Sequence, residues 1–417
     1  MARILVSAMP FSGHVGPLAA VAEELVRAGH DVVGYTGSRH TARFEAVGAT
    51  PLVWRAAPDF DEHDLPATFP RLGRQGTLGV LRNISDLFVG TAAAQATDIA
   101  GEHTRSPFDL LVADAFAAGA GLVAAKTGLP FATVDPMPRM KQSRLTLAGM
   151  HLFDRPLRRQ YEDFGLSTDG IAYWKSLMSR ERIISASSPL LEYPDHPFDP
   201  RYAYVGRLAP TGTANSVGMP AWWPDVRAKG QPIILVTQGT FNIDPDELIR
   251  PAIESLAGRG VMVIVTTGGG DVSSLGDLPS NVRAAEWLPT QRMLPHVDVV
   301  VTNGGWGGIL EALEAGVPLV VGGRDLDKPM NAARIAWSGA GVDLGTGRPS
   351  PLQVRVAVDS ALRTPAYRAR AVEIGAELQT LGGARAAAAL LEALLPADPS
   401  TSLRDRSLSE VEGSDPG

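Results

Sequence analysis

Two series of short, β-rich apolar runs, each alternating with stretches of helical periodicity, set the first constraint on this chain. In the first half the runs are residues 3–8 (RILVSA), 31–35, 109–113, 131–134 and 182–187. In the second half they are 232–237 (PIILVT), 261–266, 282–285, 297–302 and 318–321. Runs that are apolar throughout, rather than at every other residue, belong to strands buried on both faces. With helices between them they predict parallel sheets covered on both sides, an α/β fold. At 417 residues the two series read as two Rossmann-like domains. The expected boundaries are 1–207 for the first domain, a Gly-, Pro- and Ser-dense linker over 208–230, and 231–380 for the second. A closing helix over 381–394 could pack back on the first domain, and a polar tail over 395–417 is expected to be disordered.

Composition narrows the chemistry. Lys+Arg 38 against Asp+Glu 45 leaves a formal charge of −7, which argues against nucleic acid or an anionic membrane surface as partner. With no cysteine there is no disulfide framework, thiolate metal site or cysteine nucleophile. The 44 glycines and 32 prolines fall short of the roughly 25–30% that marks low complexity. The apolar start is broken at once by Pro10, Ser12, Gly13 and His14, too early for a signal-peptide core. No run of about 20 apolar residues is present to span a bilayer. A cytoplasmic protein, a monomer or weak dimer, is the expectation.

In open parallel sheets ligands bind beyond the carboxyl ends of the strands. The residues that fall there are Ser12, Gly13 and His14, then Asp114, then Gly239 and Thr240, then a glycine cluster after 297–302. Two domains facing each other would gather these groups in one central cleft. Seven of the 44 glycines lie between Gly304 and Gly323. A helix opening near Trp306 to Gly308 would present free N–H groups there, and glycines let a phosphate approach the backbone. Glu311, one turn in, could accept hydrogen bonds from ribose hydroxyls, and Asp327 could do the same for a sugar. A glycine-rich turn without a ligand is the plain alternative.

The segment from Trp287 to Lys328 resembles the donor-binding signature of the family-1, GT-B fold glycosyltransferases that use UDP- or TDP-sugars. The match runs through Trp287, Leu288 and Pro289, the block Thr302 to Gly308 (with Gly304, Gly305, Trp306 and Gly307), Glu311, Gly316 to Leu319, and Asp327. FSGHVGPL near the start matches the family's acceptor-side motif, so the resemblance covers most of the chain. It looks closest to bacterial enzymes that glycosylate macrolides, polyphenols and antibiotics. The resemblance implies that Trp287 stacks on the base, Glu311 binds ribose and Asp327 binds sugar hydroxyls. Gly239 and Thr240, opening a helix from about residue 245, resemble the second phosphate contact. Five positions depart from the pattern: Asn303 replaces a His, Gly307 an Asn, Gly308 a Ser, Thr290 the Gln of the Trp-Pro element, and Lys328 the closing Gln. Lys328 either offsets the missing His charge or is a surface lysine.

On the acceptor side His14 is the expected general base. An imidazole near pKa 6.5 can take a proton from a hydroxyl at neutral pH. The resemblance makes Asp114 the partner that sets its tautomer, while a helix N-cap is the structural alternative for Asp114. Phe11, Ser12, Phe60, Phe88, Met137 and Met140 are candidates for an apolar acceptor pocket, or for ordinary core. The resulting expectation is an inverting transfer of a hexose, glucose first, to a hydroxyl of an apolar small-molecule aglycone. No cofactor beyond the nucleotide sugar and no metal is expected, since neither Asp59–Asp61 nor Asp325–Asp327 reads as a metal-binding pair. A UDP-sugar 2-epimerase, a weakly active nucleotide-sugar-binding helper protein, and a metal-dependent GT-A enzyme stand as alternatives.

Overall fold

The strands that carry the fold come from the continuous apolar runs, because only they can be enclosed from both sides. The computed structural model describes residues 1–70, 83–139, 154–167, 178–209, 217–239, 244–323 and 326–396. Contacts divide the chain into two units. The first comprises Met1–Ala186, Tyr193–Pro210 and the chain from Gly382 onward; the second comprises Ser187–Glu192 and Thr211–Leu381.

In the first unit β1 (Arg3–Ser7), β2 (Asp31–Thr36), β3 (Thr50–Val53), β4 (Leu110–Asp114), β5 (Phe131–Asp135), β6 (Arg182–Ser185) and β7 (Tyr202–Tyr204) form one sheet. Its order is β3-β2-β1-β4-β5-β6-β7 and the pairs are parallel. Helices α1 (Ser12–Arg27), α2 (Ala92–Arg105) and α3 (Gly119–Thr127) join these strands.

The second unit repeats the plan with β8 (Ile233–Thr237), β9 (Met262–Thr266), β10 (Val282–Ala285), β11 (Val299–Thr302), β12 (Leu319–Val321) and β13 (Gly341–Asp343). The order is β10-β9-β8-β11-β12-β13, again parallel. Helices α4 (Ile249–Leu256), α5 (Trp306–Glu314), α6 (Lys328–Ser338), α7 (Pro351–Arg363) and α8 (Pro365–Thr380) flank it. Alternate residues of one strand feed separate cores: Leu235 and Ile264 lie in the cluster with Trp306, Ile234 and Val263 in the cluster with Val354. That two-sided burial is what makes the runs apolar throughout. No described helix is long and apolar enough to cross a membrane.

Three differences from the sequence reading stand out. β3, β7 and β13 were not anticipated, and each is a sheet edge, short and covered on fewer sides. Part of the expected linker is folded into the second unit, where a helix over Trp223–Ala228 buries Trp223 and Val226. The segment Ser187–Glu192 also belongs there: Arg334, 2% exposed, donates to the Leu191 carbonyl, and Arg370 donates to the Leu190 carbonyl at 3.3 Å. The closing helix, which the sequence reading allowed to pack back on the first domain, is α9 (Gly383–Glu392) and falls in the first unit. Its Ala384, Ala387, Ala388 and Leu391 pack with Leu18, Val21 and Leu25 of α1, and Gly383 N–H donates to the Val205 carbonyl at 2.7 Å.

Candidate active site

Both sheets reverse their strand order at the same place, between the first and the fourth strand of the unit. There the loops leave in opposite directions and open a crevice at the strand ends. In the first unit β1 and β4 run side by side to Ser7 and Ala113. His14 lies in the first turn of α1, just past β1, and Asp114 ends β4. Topology alone therefore brings together two residues that are 100 positions apart in the chain. His14 Nδ1 stands 3.3 Å from Asp114 Oδ1, with side-chain exposures of 15% and 0%.

The Asp114 carboxylate is fixed by backbone. Oδ2 accepts the Met9 N–H at 2.5 Å and Oδ1 accepts the Phe116 N–H at 2.7 Å. The helix-cap alternative fails, because α3 begins after Ala118 with no side-chain cap. Asp114 instead folds its own turn and keeps one oxygen toward the imidazole.

Aromatic rings collect beside His14. Phe11 and Phe116 have centroids 5.7 and 5.6 Å from the imidazole, Phe60 and Phe88 pack on Phe11 at 5.3 and 6.0 Å, and Phe88 meets Phe116 at 4.8 Å. Phe11 is thus brought to the imidazole with Phe60 and Phe88 packed on it, and Phe116 is a member that the sequence reading missed. Met137 lies half-buried just past β5, with its N–H on Asp135; Met140 lies outside the described residues.

Ser12 is engaged otherwise than expected. Its N–H and hydroxyl donate to the buried carboxylate of Glu62, and Arg43 donates back to the Ser12 hydroxyl at 3.2 Å. A carboxylate at the start of α1 is favoured by the helix dipole. It anchors the 59–62 loop, and Phe60 with it, to the helix that carries His14. His40 Nε2 is 3.5 Å from Glu62, and burial pushes its pKa below the ordinary value, aided by Arg43 and opposed by Glu62. Asp59 accepts the Ser38 N–H and Asp61 pairs with Arg39, so this acidic pair is occupied by protein partners.

In the second unit β8 and β11 end together at Thr237 and Thr302. Gly239 follows with φ +71°, and Gly304 with φ +94°. Asn303, 5% exposed, donates its amide to the Gln238 carbonyl and so pins the two strand ends to each other. Gly305 opens α5 with no side-chain cap and no acidic residue in the first turn, and Gly307 and Gly308 are exposed. The first amides of a helix point away along its axis, and a start without a side-chain cap is suited to an anion.

Around it stand the expected polar groups. Thr290 donates its hydroxyl to Glu311 Oε1 at 2.8 Å and so positions that carboxylate. Trp287 is 53% exposed, and a Cβ on Gly269 would lie 2.9 Å from its indole, so the glycine backbone passes close to the ring. Asp327 precedes α6 and accepts from Asn331 Nδ2 at 2.7 Å.

Several expectations are corrected. The side chains of Leu288 and Trp306 lie in the core, leaving only their backbone for a ligand. Trp306 begins an inward stripe with Ile309, Leu310 and Leu313, which explains its burial. Lys328 is only 8% exposed and is not a surface lysine. The second helix start is not open: α4 begins at Ile249, whose N–H is taken by the buried Gln238 Oε1 at 3.2 Å. Thr240 lies outside the described residues.

Comparison with known proteins extends this picture. Residues 252–391 match the family described as erythromycin biosynthesis protein CIII-like, C-terminal domain. The chain is 34% identical to 4'-demethylrebeccamycin synthase of Lentzea aerocolonigenes, over 94% of this chain and all of that one. It is 27% identical to UDP-glucosyltransferase B1 of Starmerella bombicola, over 90% and 94% of the two chains. Among solved structures, the glycosyltransferase of kitacinnamycin superposes with a TM-score of 0.76 at 24% identity, covering 95% of this chain and 99% of that one.

Proposed function

The chain belongs to the GT-B glycosyltransferases, the family of 4'-demethylrebeccamycin synthase, and from that premise we propose an inverting transfer of a hexose to a natural-product hydroxyl. The observation that carries this reading is the His14–Asp114 pair set among aromatic rings. At 3.3 Å from Nδ1 the Asp114 carboxylate favours the Nδ1–H tautomer, in which Nε2 is the basic nitrogen that takes the acceptor proton. The deprotonated oxygen attacks C1 of an α-linked nucleotide sugar. The C1–O bond to the diphosphate breaks in the same displacement, giving a β-glycoside and the free nucleoside diphosphate. The uncapped amides at the start of α5 support binding of the diphosphate and of the charge that grows on it, without a metal.

The rings of Phe11, Phe88 and Phe116 favour an apolar aglycone of polyphenol, macrolide or ansamycin type. Glu311, held by Thr290, favours a sugar with two free ribose hydroxyls, hence UDP over TDP, with UDP-glucose the first donor to test. The test crosses UDP- and TDP-sugars with aromatic and macrocyclic alcohols and reads products by mass spectrometry. Glycoside that disappears in His14→Ala and persists with chelator supports the proposal. Free epimerised sugar without glycoside would instead indicate an epimerase.

A further inference from the structure

We propose that Asn331 is a positioning residue of the donor site, setting the glycine loop and the Asp327 carboxylate with one side-chain amide. This rests on the donor reading of the second unit. Asn331 lies on α6, four residues after Asp327, and is 1% exposed. Its Nδ2 donates one hydrogen to the Gly304 carbonyl at 2.9 Å and the other to Asp327 Oδ2 at 2.7 Å. Its Oδ1 is buried and meets no donor.

The approach that permits this is built into two glycines. A Cβ on Gly304 would lie 3.2 Å from the Lys328 carbonyl oxygen, and one on Gly323 would lie 2.5 Å from the Lys328 carbonyl carbon. The first turn of α6 therefore rests directly on the loop. A trans peptide places its C=O and N–H on opposite sides. Holding the Gly304 carbonyl toward Asn331 thus turns the Gly305 N–H away from it, at the uncapped start of α5. The second hydrogen holds the carboxylate that is to face the sugar. Phosphate donor and sugar acceptor are set by the same planar group, so neither can swing without the other.

The test compares Asn331→Asp and Asn331→Ala with the wild-type chain at pH 8 and pH 5.5, measuring KM for donor, KM for acceptor and Tm. In Asn331→Asp a second carboxylate at hydrogen-bond spacing from Asp327 raises the pKa of the pair, so that a proton is shared at low pH and lost at high pH. At pH 8 the two carboxylates repel, and the donor KM should rise about tenfold or more, the scale of a lost bond to a charged group. At pH 5.5 a shared proton restores the link and the donor KM should return toward wild type, while the acceptor KM stays unchanged at both. Lys328 and Arg334 are the charged neighbours on α6; both are present in every variant, and Arg334 is engaged with Leu191 and Glu192. If Asn331→Ala fails to fold, the isosteric Asp variant carries the test. Lowered Tm with a donor KM ratio that does not change with pH overturns the proposal and leaves the donor reading intact. A wild-type chain that turns over no nucleotide sugar overturns both.

Discussion

The Met9 N–H donates to Asp114 Oδ2 at 2.5 Å, tying the exit of β1 to the end of β4 where His14 enters its helix. That bond, with the one from Phe116, leaves Asp114 little freedom except to face the imidazole. Asp114→Asn must set its NH₂ against the Met9 or the Phe116 N–H and so should lower Tm, and it removes the charge that favours the Nδ1–H tautomer of His14. Activity should fall about 10²–10⁴-fold, the range for general-base assistance, and His14→Ala should fall comparably. Steady-state rates with a saturating donor check it; an Asn variant near wild-type activity would remove Asp114 from the mechanism.

Thr290→Val removes the hydroxyl that orients Glu311 while keeping the volume. The donor KM should rise roughly tenfold, the effect of losing a hydrogen bond to a charged group, with the acceptor KM unmoved. Preference for UDP- over TDP-sugars should narrow, and Thr290→Gln should recover part of it. Competition between the two nucleotides, read as relative inhibition constants, decides the point.

Gly269→Ala should displace the Trp287 indole. The added methyl meets the ring at 2.9 Å, and φ +99° is strained for any side chain at about 1–3 kcal/mol. The expected outcome is a lower Tm together with weaker donor binding, and Trp287→Ala should weaken donor binding with little loss of Tm. Nucleotide titration followed by calorimetry separates the two.

Stability should decline on acidification. His103 accepts the Phe108 N–H on Nδ1 at 3.0 Å, and burial, then the Arg3 cation, push its pKa below the ordinary value against the pull of Asp109. Above about pH 6.5 both folded and unfolded forms are neutral there. As pH falls further the unfolded chain takes the proton first, so stability is lost by at most about 1.4 kcal/mol per pH unit until the folded histidine titrates. His103→Gln should flatten part of the Tm decline between pH 7 and 5. His40, shifted in the same direction, supplies a remaining part. An unchanged slope would show that His103 is not linked to folding.

The central strands were legible because burial on both faces leaves no choice but apolar residues, as in Ile4, Leu5 and Val6. The edge strands were not: Thr50–Val53 contains a proline and Gly341–Asp343 is three residues long. His14 and the glycine loop could be placed because they follow strand ends directly. Glu62, Phe116 and Asn331 could not, since their roles depend on chain reversals that no local spacing reports; Glu62 reaches Ser12 from 50 residues away. The burial of Trp306 was readable in the helical stripe it begins, but a tryptophan among glycines draws the eye to a ligand.

The return of α9 to the first unit has a consequence for the order in which the protein is made. Leu391 fills the same core as Ile4 and Val6, and the whole second unit is synthesised between them. During translation the second unit can finish folding while the first still exposes the α1 surface that α9 will cover. The half that carries His14 is begun first and completed last, so a ribosome that stops short of residue 391 leaves the earlier half open.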